Sequence, residues 1–187
     1  MNLDIGDTRA LFKAGRCGLL VEWGDPGPLQ LDDDATAIKG KLYAISALGS
    51  REVLNRATGE LVPVNNVNAP HAIDGINYAP FAAFGGWAGA VNKGADQKTK
   101  DAAYAFLSYM NQSAQSSVDV TIGATGYNPY RLSQLSSPDL FVKAGMPQAL
   151  AENYIGAING ALNSLNMASD MKIPGAQKYT SVVLDTE

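Results

Sequence analysis

Hydrophobic positions along the chain switch repeatedly between two spacings. Asp7 reads as the N-cap of a short helix, Thr8 to Ala14, with Gly15 as its stop. Cys17-Gly18-Leu19-Leu20-Val21 is an apolar run, and Cys17 to Trp23 predicts a buried strand. Gly24-Asp25-Pro26-Gly27-Pro28 forbids regular structure, and Asp32-Asp33-Asp34 continues that loop. Lys41 to Ser46 predicts a second short strand, and residues 47–80 are the least regular part of the chain. A structureless stretch of that length is unusual inside one domain, so it reads as a ligand-facing loop with short strands or as a crossing between lobes. Pro80 to Val91 resumes strand character.

The second half is helical. Ala95-Asp96 opens a helix from Gln97 to Met110, with Ala102, Ala103, Phe106, Leu107 and Met110 as its expected buried stripe. A further helix is expected from Ser113 to Val120, then a break over Gly123 to Tyr130. Ser137-Pro138-Asp139 starts a short helix with proline in its first turn. Pro147 starts the longest, to about Leu165, striped by Leu150, Tyr154, Ile155, Ile158, Ala161, Leu162 and Leu165. Gly175 to Asp185 predicts one more helix, although Val182-Val183 disfavours it. The alternation of strand and helix patterns gives an α/β class.

The 187 residues suit one domain or a large lobe. A net charge of −4 with no basic cluster argues against nucleic acid as a partner. The apolar runs are too short to span a bilayer. The start, Met1-Asn2-Leu3-Asp4, is acidic and is followed by no apolar h-region, as expected of a cytosolic protein or of a mature segment. The lone Cys17 is expected to be a buried, inert thiol. With one histidine, His71, distant from it, no metal-ligand spacing exists, and no cofactor is expected.

Candidate chemistry gathers in three places. In Phe84-Gly85-Gly86-Trp87-Ala88-Gly89-Ala90-Val91, two adjacent glycines bare the backbone beside an indole. That pairing suits a flat polar ligand, and equally suits a glycine bulge with a core tryptophan. Glu22 and Asp25 flank Trp23: two carboxylates about an aromatic can cleave a glycoside, accept hydrogen bonds from sugar hydroxyls, or simply be solvated. Thr125-Gly126-Tyr127-Asn128-Pro129-Tyr130-Arg131 puts an amide and a guanidinium among aromatics, and is either a ligand loop or a turn pinned by Pro129 with Tyr130 in the core. His71 has no nucleophile motif around it, no G-x-S-x-G or phosphate loop occurs, and Asp32-Asp33-Asp34 lacks the alternation and glycine of a calcium loop.

Taken in order, ALFKAGRCGLLVEWGD, KGKLYAISALGS, FGGWAGAVNKGADQKTKDAAYAFLSYM and GATGYNPYRLSQL resemble segments of the extracellular solute-binding proteins of carbohydrate ABC importers, the group that includes maltose-binding protein. The resemblance spans nearly the whole chain. The chain departs from it in GRCGLL, which replaces a commoner small-Ala-Met pattern, and in ISALGS, which lacks the usual proline. Family chains are about twice as long, so the resemblance implies a single lobe, residues 1–187, or a C-terminal portion of a two-lobed protein, with residues 47–92 as loop and inter-lobe crossing. It implies a periplasmic-binding-protein-type lobe, a mixed sheet flanked by helices, lining part of a cleft that closes by a hinge.

The function so implied is capture of a sugar or polyol and delivery to the membrane subunits of an importer, without a chemical reaction, in the periplasm or outside the cell. Trp23 and Trp87 would stack on sugar faces. Backbone at Gly85 and Gly86 would hydrogen-bond, Asn128 and Arg131 would hold hydroxyls, and Glu22 or Asp25 would accept from them. Two other classes stay open: a protein-interaction module using the Gly/Trp surface, and a glycoside-processing enzyme using Glu22 and Asp25. Self-association through an incomplete cleft is a further expectation.

Overall fold

Two aspartates set the first helix. Asp4 caps α1 (Ile5–Lys13) by accepting from the Asp7 backbone N–H at 2.9 Å, while the Asp7 carboxylate accepts from the Asp4 N–H at 3.2 Å. Asp7 is therefore not the N-cap expected from the sequence but the third helical residue of a reciprocal capping box, and the helix begins three residues earlier. Its end is as read: Gly15 has φ +70° and donates to the Phe12 carbonyl at 2.9 Å, and Arg16 donates to Leu11 at 3.0 Å. This left-handed stop closes the orphan carbonyls, and glycine takes it without a Cβ penalty.

The computed structural model describes residues 3–35, 37–79, 81–83, 88–169, 174–176, 178 and 182, with the backbone alone at 81–83 and 168–169. Gly85, Gly86 and Trp87 lie outside the described residues, as does most of the helix expected at Gly175 to Asp185. The chain falls into two compact units, Met1–Ser46 with Gly89–Gly160, and Ala47–Ala88 with Ala161–Glu187.

The first unit is helical. After α1 come a 3₁₀ turn at Gly27–Leu31, α2 (Gln97–Met110), α3 (Ser113–Asp119), a second 3₁₀ turn at Gly123–Thr125, α4 (Leu132–Leu135), α5 (Asp139–Lys143) and α6 (Gln148–Leu162). Two clusters hold it. Val120, Phe141, Met146, Leu150, Ala151, Tyr154 and Ile155 form the larger, in which the Phe141 and Tyr154 rings meet edge to face at 5.1 Å between centroids. Phe12, Leu29, Ala35 and Ile38 form the smaller, with Leu20 and Leu42 packed on it.

The second unit carries the strands. β1 (Gly49–Ser50) pairs antiparallel with β4 (Asn77–Tyr78), and β2 (Glu52–Leu54) pairs antiparallel with β3 (Leu61–Pro63). β5 (Phe81–Ala83) runs parallel to β6 (Met167–Ser169), with Phe81 opposite Met167. The Asn166 amide donates to the Asn77 side chain at 3.0 Å and to the Tyr78 carbonyl at 2.8 Å, beside the β4 end. The protein is thus of mixed helix and strand, but its described strands form three separate two-stranded sheets rather than the one mixed sheet expected.

Four expectations fail in an informative way. Cys17 to Trp23 and Lys41 to Ser46 belong to no sheet among the described residues, although burial alternates with period two over residues 19–23 and 41–45, the mark of extended backbone. Leu20, Glu22, Leu42 and Ala44 face inward, while Leu19, Val21, Trp23, Tyr43 and Ile45 face outward. An unbroken apolar run reads as buried on both faces; here only one face is covered. Cys17 accordingly sits in solvent rather than in the core. The stripe expected on α2 has no fully buried member, and Phe106 is exposed beside Tyr104 and Tyr109. On α6 the stripe holds through Leu150, Tyr154 and Ile155 and fades to an exposed Leu162, with Leu165 beyond the helix end. No helix among the described residues is long and apolar enough to cross a membrane.

The two phenylalanines give a direct check. Phe141→Ala should cost about 3–5 kcal/mol in urea unfolding, the usual range for emptying a packed aromatic site. Phe106→Ala should change stability by less than about 0.5 kcal/mol, as for an exposed position. Equal losses would contradict this core.

Candidate functional site

The site is built on the residues of α1 that face the loop after Val21. Arg9 and Lys13 stand four apart on one helix face, and each bridges two carboxylates. Arg9 Nε donates to both Glu22 oxygens, at 3.0 and 2.9 Å, and its Nη2 reaches Glu22 Oε1 and, at 2.5 Å, Asp25 Oδ2. Lys13 Nζ lies 3.0 Å from Asp32 and 2.5 Å from Asp34. The aspartate run at 32–34 is in this way partly neutralised by a lysine. Among the described residues no three His, Cys, Asp or Glu side chains gather about one point that would hold a metal ion.

Asp25 is only 4% exposed. Burial pushes its carboxyl above the usual range, against the pull of the Arg9 charge, and the neighbouring Glu22 adds to the rise. The Arg9 guanidinium is held above its ordinary value, chiefly by its hydrogen bond to Glu22. Beneath the loop, Gly27 lies flat against the Tyr154 ring, where any Cβ would collide with it. The Tyr154 hydroxyl is buried with no hydrogen-bond partner among the described residues, and burial, reinforced by the Asp25 charge, raises its pKa.

The loop around Asn128 comes alongside. A Cβ on Gly24 would stand 2.7 Å from Asn128 Oδ1, and one on Gly126 would stand 3.4 Å from Asp25 Oδ2. Gly126 has φ +66°, a conformation that turns the chain back at this point. Trp23 is 52% exposed, so its indole is half in solvent beside this junction. The Glu22–Asp25 segment and Asn128, about a hundred residues further along the chain, are therefore brought to one place.

Arg131 is not brought there. Its Nε donates to Ser116 Oγ at 3.0 Å, its Nη2 to the Asn111 carbonyl, and its guanidinium lies over the Tyr130 ring at 5.5 Å from the centroid. Pro129 is buried as a turn residue, while Tyr130, expected in the core if this loop were only a turn, is exposed. Gln134 Oε1 accepts from the backbone N–H of both Tyr130 and Arg131 and fixes the turn. His71 is exposed, in the other unit.

A groove of about 400 Å³ lined by Gly6, Arg9, Lys13, Asp32, Asp34 and Gly123 adjoins α1, but Glu22, Trp23, Asp25 and Asn128 do not line it. Its cations are already engaged by carboxylates. Arg9 is the residue that reading the sequence overlooked. The signal was present in the two cations four apart on a helix, followed by two acidic pairs, Glu22 with Asp25 and Asp32 with Asp34. Comparisons with protein-family models, with curated proteins and with solved structures found no match to this chain.

A carboxyl whose pKa is raised by folding binds its proton more tightly in the folded chain. Its contribution to stability is present at low pH and is lost as pH rises through the raised value. Arg9→Gln removes the group that opposes this rise at Asp25. The variant should lose about 2–4 kcal/mol at pH 7, since a largely buried charge loses its partner. The deficit should narrow as pH falls from 7 toward 4 and Asp25 takes up its proton. Thermal melts at both pH values check this; a deficit independent of pH would show that the carboxylates are not its cause.

Proposed function

We propose that the protein binds a sugar or a similar polyol at the Trp23 junction without transforming it, and presents it to the membrane subunits of an ABC importer. The observation that carries the reading is the exposed Trp23 indole beside Asn128 and the Arg9-held carboxylates. An aromatic face covers the C–H face of a pyranose, while an amide and carboxylates take its hydroxyls. Asn128 is exposed and offers both a donor and an acceptor, with the Glu22 carboxylate, 9% exposed, beneath the same place. A charge-paired carboxylate held by an arginine is a fixed acceptor, which suits recognition.

The rest of the reading stands on the family resemblance. It makes the chain part of a periplasmic-binding-protein-type lobe, located in the periplasm or outside the cell. Arg131 has a lesser part in this proposal than in the sequence reading, because two of its donors are taken by Ser116 and Asn111. The glycoside-processing alternative is the weaker one. Asp25 is buried and shares one guanidinium with Glu22, and neither feature favours an acid that must reach a glycosidic oxygen.

Calorimetric titration against a panel of mono- and disaccharides and polyols tests the reading. Saturable binding by at least one member, with no product formed, is the expected result. Trp23→Ala should weaken it at least tenfold, about 1.4 kcal/mol, with the melting temperature unchanged. Absence of saturable binding across the panel at millimolar ligand would overturn the proposal.

A further inference from the structure

The charges at the Trp23 junction do not balance. Glu22 and Asp25 share one guanidinium, and no other cation lies within ion-pair distance of either among the described residues. One negative charge is therefore left over at neutral pH. Lys13, one turn along α1, repeats the pattern with Asp32 and Asp34, so this face of the unit carries a second surplus charge.

Burial gives the first surplus its weight. The Glu22 and Asp25 side chains are 9 and 4% exposed, so salt screens them less than it screens a surface carboxylate. Burial lifts the Asp25 carboxyl above its ordinary range although Arg9 pulls the other way, and Glu22 pushes it further, so the guanidinium does not cancel the pair. The Tyr154 hydroxyl, beneath the same loop and within the field of Asp25, does not make up the difference: it is buried and has no hydrogen-bond partner among the described residues. Asn128 adds an acceptor, its Oδ1 set against Gly24.

The Trp23 indole, 52% exposed, stands between the two carboxylates in the chain. An aromatic face attracts a cation, and tryptophan does so most strongly. A neutral hydroxyl can donate to a carboxylate but brings no charge. A protonated amine brings three donors, no acceptor and the missing positive charge. We propose that the ligand of this junction is an amino sugar, a pyranose carrying a free protonated amine, held by Trp23 and the Glu22 and Asp25 carboxylates. This rests on the sugar-binding reading and names the class of sugar. The surplus charge then sets specificity: a neutral sugar leaves the carboxylates without their counter-charge, and an acidic sugar meets repulsion. The same surplus steers a cation to the site, an effect that salt weakens.

Calorimetric titration of the 187-residue chain with glucosamine, glucose and N-acetylglucosamine tests the assignment. Glucosamine should bind at least about tenfold more tightly than the other two at pH 7 and low salt. The preference should fall several-fold at about 0.5 M salt. It should vanish at about pH 9.5, above the usual range of such an amine, where the carboxylates keep their charge. Glu22→Gln should reduce the preference while glucose binding persists; Glu60→Gln, an exposed position of the other unit, should leave it unchanged. The salt and pH arms use the unaltered protein and so decide the matter even where Glu22→Gln fails to fold. Equal affinity for glucosamine and glucose would overturn the amino-sugar assignment and leave sugar binding standing. No binding of glucosamine at millimolar concentration, a preference indifferent to salt and pH, or an equal loss in Glu60→Gln would each overturn it as well, while the wider panel of disaccharides and polyols decides the sugar reading separately.

Discussion

Tyr154 is the contact on which the first unit depends. Its ring meets Phe141 edge to face in the larger core, and its other neighbour is the bare backbone of Gly27. The loop holding Glu22, Trp23 and Asp25 is thus seated directly on a core side chain of α6. A side chain at residue 27 would lift that loop off the ring, and the Arg9 bridge would have to stretch to follow it. The loop chemistry and the helical packing are consequently one problem rather than two.

The sequence made some of this legible. Local signals were accurate where local physics decides. Gly15 ended α1, Asp96 capped α2 through the Thr99 N–H at 3.0 Å, and Pro138 opened α5. The class of mixed helix and strand was read correctly, but four of the strands lie within residues 47–80, read as the least regular stretch, rather than at Cys17 to Trp23 and Lys41 to Ser46. Asp7 was misjudged because Asp4 and Asp7 are both acceptable caps, and only the reciprocal bonding distinguishes them. The larger misses all concern tertiary cover. Cys17 to Trp23 and the α2 stripe carry apolar side chains, and hydropathy shows that a residue prefers burial without showing what covers it. Arg9 was missed for the opposite reason: a cation on a short helix is ordinary until a folded loop brings two carboxylates to it.

Electrostatically the junction is a compromise. A buried carboxylate is costly, and an arginine that also serves Glu22 relieves only part of that cost, which is why Asp25 stays above its ordinary range. What the arrangement gains is rigidity. Arg9 ties α1 to both ends of the Glu22–Asp25 segment, and Trp23 between them has little freedom to withdraw. Holding an indole in water at a fixed angle is unfavourable for the free protein and favourable for a binding surface, since the ordering cost is met before a ligand arrives.

Asn153 has a wider consequence than two hydrogen bonds. Its amide is a one-residue substitute for a neighbouring strand, meeting the donor and the acceptor of Ala44 with a single planar group. Because side chains alternate along extended chain, a slip of one residue would send Tyr43 and Ile45 into the core and turn Leu42 and Ala44 to solvent. Asn153 lies 109 residues away in sequence, so it selects this register only after a long loop has closed. The character of an outer surface is in this way decided by a helix residue that is not part of it.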